Sequence, residues 1–187
     1  MTGDELYKEL HFVDHTREKR LAFSNLVLKN QKLIPKLLDI VFMVDDKISI
    51  KAAWVLEYLC SYDINVIVPY LDQFTENLRT IHQDAAVRPM AKICERIAIS
   101  YCSKEKELMQ SALSPSHIER IVETCFDYLI EDEKVAPKAF SMNTLFLFGK
   151  TNDWVHPELI SIIERDYPTQ SAGFKARARH VLKQLKQ

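Results

Sequence analysis

Two histidines four residues apart, His11 and His15, are followed three positions later by Glu18. On one face of a helix they would present two imidazoles and a carboxylate, the donor set of a zinc site. Asp14 and Thr16 interrupt that helical reading, and no HExxH accompanies the pair, so solvated histidines are expected rather than a metal centre. Gly149-Lys150-Thr151 has the end of a phosphate loop without its beginning. Thr144 stands where the first glycine belongs, and the apolar run before Gly149 makes that glycine a helix C-cap. Cys60, Cys94, Cys102 and Cys125 form no CxxC pair, and all but Cys102 lie among apolar neighbours at helical spacing. They read as small core residues kept reduced. There is no GxSxG, and His82, His117, His156 and His180 are scattered, with His117 and His156 at helix starts. Paired carboxylates in space are invisible to a sequence. No catalytic residue, metal ligand or cofactor is assigned, and a non-enzymatic protein is expected.

Charge offers a second kind of chemistry. Lys51, Arg88, Lys138 and Lys175 each introduce the same phrase, a cation followed by a small or apolar anchor and further apolar residues four and seven positions on. Asp46, Asp84 and Asp132 lie near the first three of these cations. An anion site is one reading. A ladder in which the acids pair with the cations is the preferred one, because a cation near a helix start needs a local carboxylate to offset the dipole. The segment 174–187 carries Lys175, Arg177, Arg179, Lys183 and Lys186 with no acid. End-capping of a helical stack is preferred there over an anion-binding patch.

The elements that carry these residues are helical. Glycine occurs only three times in 187 residues, too seldom for a chain rich in tight hairpins or phosphate-cradling loops. The anchors Ala52, Met90, Ser141 and Ala178 are spaced by 38, 51 and 37, a period that marks stacked helix pairs. A weaker copy begins at Arg20 with Ala22 and Leu26 and loses its third apolar position to Lys29. First helices are expected at 4–13, 32–42, 65–74, 117–130 and 156–166, with prolines 35 and 69 in opening turns. The pairs form units at 4–30, 32–62, 65–101, 117–150 and 156–186, about ten helices in one domain over residues 1–187. In DAAVRPMAKICERIAISY, Asp84 is expected as the N-cap and Pro89 in or just after the first turn. The long interval places an insert at 103–116, where Leu108, Met109, Ala112 and Leu113 predict a further helix or an extension of the preceding one, and Ser114 or Ser116 caps the next helix. It reads as a connection packed on the edge, or as a lid or partner-specific element.

The stretch LIPKLLDIVFMVDDKISIKAAWVLEYL (33–59) resembles a HEAT repeat, the two-helix unit of solenoids related to armadillo repeats. The resemblance covers roughly residues 30–186. It implies an all-α, right-handed α-α superhelix of about five helix pairs, whose second helices line a concave face that commonly docks proteins or peptides. Short chains resembling this one also carry the label adenylosuccinate lyase. That helical superfamily is far longer, forms tetramers and uses a mobile Gly-Ser-Ser loop that this sequence lacks, so the likeness implies no such activity.

On the HEAT-like alignment Trp54 matches Lys92, Glu57 matches Glu95, and Tyr58 matches Arg96. These six, with Arg179 and Lys183, are the expected binding residues of the concave face. Trp54 would be the anchor, against the simpler reading of a tryptophan half-buried between units. Phe140, Phe146 and Phe148 are expected in the core. A protein or peptide is the expected partner. The alternative is nucleic acid, since HEAT-like DNA-alkylation-repair glycosylases use a cationic channel with aromatic residues, to which Arg177, Arg179, Lys183 and Trp54 would correspond. With 25 Lys and Arg against 26 Asp and Glu the net charge is −1, which weighs against that alternative. The polar, acidic start MTGDELYKEL and the lack of a long apolar run lead to the expectation of a cytoplasmic protein away from membranes.

Overall fold

The computed structural model of the chain describes residues 1–103 and 107–186, leaving out the Glu107 side chain. Among the described residues there are eleven α-helices and no strand. No described helix is long and apolar enough to cross a membrane. The chain divides into two compact units, Met1–Ile93 and Cys94–Gln187.

In the first unit, α1 (Gly3–Leu10) and α2 (Arg17–Lys29) are followed by α3 (Ile34–Val41) and α4 (Lys47–Tyr62). A 3-10 segment, Ile64–Tyr70, leads into α5 (Leu71–Asn77), and α6 (Asp84–Cys102) gives its first half to this unit. α4 packs on both α3 and α2, and α1 on α3. Ala52, Leu56 and Leu59 of α4 are fully buried, as are Met90 and the neighbouring Val87 of α6. Two expectations shift. Pro69 sits inside the 3-10 segment, so of these two prolines Pro35 alone stands in the opening turn of an α-helix. In α2 the buried residues are Ser24 and Val27, while Ala22 and Leu26 face outward. The weak first copy therefore buries a different face from the one its spacing suggests.

In the second unit, Cys94, Ile97 and Ala98 of α6 are buried, followed by α7 (Glu107–Ala112), α8 (Pro115–Ile130), α9 (Val135–Phe148), α10 (Val155–Asp166) and α11 (Ala172–Leu185). α9 packs on α8, α10 and α11. The helix expected in the insert is α7, with Met109 and Leu113 buried and Leu108 outward; residues 104–106 of that insert lie outside the described residues. Gln110 Nε2 donates to the Tyr101 and Ser103 carbonyls at 2.8 and 2.9 Å, closing the end of α6. Ser114 caps α8, accepting from the His117 amide at 3.3 Å, and His117 Nδ1 accepts from the Ser114 amide at 3.2 Å. This is a capping box with histidine in the usual glutamate place. Phe148 is fully buried, whereas Phe140 and Phe146 are half-buried. Val181 takes the core position expected of Leu182 in α11, and Leu182 and Leu185 are half-exposed.

Three of the four recurring cations bond to backbone carbonyls, while the fourth, Arg88, faces the Glu57 carboxylate at 3.8 Å. Lys51 Nζ donates to His11 O at 2.7 Å, Lys138 to Leu129 O at 3.0 Å, and Lys175 to Pro168 O at 3.0 Å. Each acceptor is a carbonyl at or just beyond a helix C-terminus, the negative end of the dipole, where backbone oxygens lack intrahelical donors. Asp46 serves elsewhere, accepting from Tyr7 Oη at 2.6 Å and from the Ile48 amide at 2.8 Å at the start of α4. Every residue has a carbonyl, so a sequence displays only the side-chain partners and hides these acceptors.

Candidate functional site

Trp54 is half-buried on α4, and its position follows from a proline two helices on. α6 begins at Asp84, and the Ala86 and Val87 amides bond to Gln83 O at 2.7 and 3.0 Å. Pro89 is thus the sixth helical residue, one position deeper than a cap at Asp84 would place it, and Asp84 lies inside the first turn rather than before it. A proline there has no N–H to return to the carbonyl four residues back, that of Ala85. Trp54 Nε1 donates to that carbonyl at 2.9 Å. The indole N–H replaces the missing helical donor and fixes the ring against α6. The motif that opened the helix therefore also orients the tryptophan.

The remaining side chains assemble around it. Arg20 of α2 places its guanidinium carbon 5.7 Å from the Trp54 ring and 5.2 Å from the Tyr58 ring, a cation–π arrangement with both rings. Arg20 is held in turn by backbone carbonyls, donating to Thr16 O at 3.3 Å and His15 O at 2.9 Å. One turn below Trp54, Glu57 is only 3% exposed. Lys92 Nζ lies 2.5 Å from its Oε1, and Arg88 Nη1 3.8 Å from its Oε2. That second oxygen has no hydrogen-bond donor. The acid is sunk into the protein while Arg88 keeps 48% of its side-chain exposure, so the arginine is the member of this pair that solvent meets.

The eight expected site residues are divided between the two units. Trp54, Glu57, Tyr58 and Lys92 come together in the first unit. Glu95, Arg96, Arg179 and Lys183 belong to the second. There Glu95 accepts from Asn143 Nδ2 at 2.9 Å, and Arg96 Nε is buried without a hydrogen-bond partner. Arg179 donates to Tyr167 Oη at 3.2 Å on α10–α11, and Lys183 is exposed. Sequence reasoning places Arg20 and Arg88 among the repeat cations and so misses them as site residues. The available signal was Pro89: a proline inside a helix leaves one carbonyl in search of a donor.

Among the described residues no three His, Cys, Asp or Glu side chains converge as metal ligands; His11 packs edge-on against Tyr7, with ring centroids 5.6 Å apart. Cys102 is exposed, with Sγ 3.7 Å from Leu147 O, and desolvation raises its thiol above the usual range against the opposing pull of Lys150. Such a thiol is poorly ionised and not activated. His156, beside the Gly-Lys-Thr tripeptide, lies with Nε2 2.9 Å from Phe146 O and its ring stacked on Phe146 at 5.9 Å.

Comparison with family models, with curated proteins and with solved structures gives no match. The class that stands on the geometry is an all-helical protein whose first unit carries a cluster of arginine and aromatic side chains.

Proposed function

We propose that the protein is a non-enzymatic, HEAT-like scaffold of right-handed helix pairs, and that it binds a protein or peptide through the second helices α2, α4 and α6 of its first unit. Support for the repeat reading comes from packing inside each unit, where second helix lies on second helix, α2 on α4 and α9 on α11. The observation that carries the binding reading is the stacked trio Arg20, Trp54 and Tyr58 beside the half-exposed Arg88. Aromatic and arginine side chains whose geometry is already fixed lose little entropy on binding, and such residues dominate interface energies. The buried Glu57 with exposed Arg88 favours a partner whose contacting segment is acidic.

The test is affinity capture with the wild-type chain and with a Tyr58→Ala/Arg88→Glu double variant, followed by titration of the recovered protein in purified form. Neither substitution removes a core side chain or a cap. The reading expects at least one partner retained by wild type and weakened about tenfold or more by the variant, as removal of a central charged contact gives. Equal capture by both chains of every retained protein overturns it.

A further inference from the structure

A hollow of 360 Å³ lies on the second unit between the end of α10 and the exposed side of α11, lined by Glu164, Tyr167, Pro168, Arg179 and Leu182. Its size falls at the lower end of the range for small-molecule sites, about 300–1,000 Å³. The floor is the Tyr167 ring, the Pro168 ring and the Leu182 side chain that the core does not take up. Lys175 Nζ stands 5.7 Å from the Tyr167 ring centroid, and Arg179 Nη1 bonds to its hydroxyl at 3.2 Å, so the aromatic wall is held from both sides. The walls are apolar and the rim is charged, which is how pockets that orient an amphiphile are built.

One acid and one base, Glu164 and Arg179, line the hollow, and further cations follow Arg179 along the chain. Arg179, Lys183 and Lys186 recur at four and three residues along α11, on one stripe of the helix. Lys186 is occupied by Glu164 at 3.4 Å. Arg179 has a neutral phenol as its hydrogen-bond partner, and among the described residues no carboxylate stands within ion-pair reach of Arg179 or Lys183. The bond to Tyr167 uses Nη1, leaving Nε–H and Nη2–H₂ of the guanidinium fork to take two oxygens side by side. Glu164 on the same rim would repel a doubly charged group more than a singly charged one, which separates a carboxylate from a phosphate. The hollow is a single recess, whereas extended peptides are read by a row of them.

We propose that this hollow binds a small monoanionic amphiphile, a carboxylate on a short apolar chain, with the carboxylate at Arg179 and Lys183 and the chain against Tyr167, Pro168 and Leu182. The site is independent of the protein-binding face on the first unit. The probe is octanoate, titrated by calorimetry and followed by amide chemical shifts, with octanol, octylammonium and inorganic phosphate as comparisons. The expected result is saturable octanoate binding, shifts centred on Glu164–Pro168 and Arg179–Leu182, and affinity for the three comparison compounds at least about tenfold weaker. Arg179→Glu, at an exposed position, weakens octanoate about tenfold or more, and Arg179→Lys falls between it and wild type because it keeps charge without the fork. Leu182→Asp abolishes binding with the helical circular dichroism unchanged. No octanoate binding at millimolar concentration, octanol binding as tightly, phosphate binding as tightly, shifts centred elsewhere, or an Arg179→Glu variant of unchanged affinity would each overturn the proposal.

Discussion

At the scale of single residues, the hydrogen bond from Trp54 Nε1 to Ala85 O exists because Pro89 cannot make one. The two residues should therefore be energetically coupled although they belong to different helices. Trp54→Phe removes the donor and leaves the carbonyl to water; Pro89→Ala supplies a backbone N–H that can close the helical ring by itself. In urea denaturation the cost of Trp54→Phe is expected to be greater in the wild-type background than in the Pro89→Ala background by about 0.5–1.5 kcal/mol, the net worth of one such bond. Equal costs would mean that the indole is positioned by packing alone. Tyr7 and Asp46 make a second residue-level case. The bond from the Tyr7 hydroxyl, and next the Ile48 amide, holds the Asp46 carboxyl below its ordinary value, and the same bond raises the Tyr7 phenol. Asp46 thus contributes stability in full above the unfolded carboxylate pKa of about 4, lost as pH falls through the lower folded value. Tyr7 contributes below about pH 10, and its share is lost as pH rises through the higher folded value. The deficit of Tyr7→Phe relative to wild type should accordingly be level at neutral pH and shrink at both extremes. A deficit that stays unchanged as acid protonates the carboxylate, or as base ionises the phenol, would show that the charge-assisted bond is not what Tyr7 contributes.

At the scale of elements, the apolar stripes were legible because a helix repeats its buried side every three or four residues. Ala52, Leu56 and Leu59, or Cys94 and Ile97, need no partner to be recognised. The same signals narrowed α7 to a separate helix or an extension of α6, and the cap of α8 to Ser114 or Ser116. What stayed hidden was contact between elements: which carbonyl each lysine reaches, and why α2 turns Ser24 rather than Ala22 inward. Gly149 illustrates the difference. Its role as the C-cap of α9 was readable from the sequence, but its φ of −65° is one any residue adopts. The glycine is required by a neighbour from α10. A Cβ at that position would stand 2.0 Å from His156 Cδ2 and 2.4 Å from Nε2. Gly149→Ala should therefore destabilise the protein by about 1–3 kcal/mol, the range for overpacking, through displacement of the imidazole from Phe146. Gly3, which has nothing within 4 Å of the same atom, should accept alanine at little cost. Adding His156→Ala should recover most of the Gly149→Ala deficit in thermal unfolding. If the double variant is as unstable as the sum of the two single ones, the constraint at residue 149 is not the histidine.

At the scale of the whole molecule, the near balance of 25 cations against 26 anions could be read from composition, but its distribution could not, and distribution decides which anions are attracted. Many cations are already engaged inside the protein. Lys51, Lys138 and Lys175 close helix ends, Lys92 and Arg88 face Glu57, Lys19 binds Asp14 and Arg165 binds Asp166. A cation that pairs with phosphate must first give up such a partner, so breaking the internal bond offsets the gain from released counterions. Exposed cations remain among the described residues, including Lys8, Arg17, Lys29, Lys32 and Lys47 in the first unit and Arg179 and Lys183 in the second, but exposed acids such as Glu9, Glu18, Asp45 and Glu164 are interspersed with them. Nucleic acid needs a continuous track of cations, because affinity for duplex DNA grows with each phosphate neutralised and falls steeply with salt in proportion to their number. A fluorescently labelled DNA duplex should therefore show no saturable change in anisotropy at physiological salt, whereas an acidic peptide bearing an apolar side chain should compete with the protein partner at the Trp54–Tyr58 face. Sub-micromolar duplex binding at that salt, reduced by Arg88→Glu, would instead assign the cation–aromatic face to base stacking and phosphate contact.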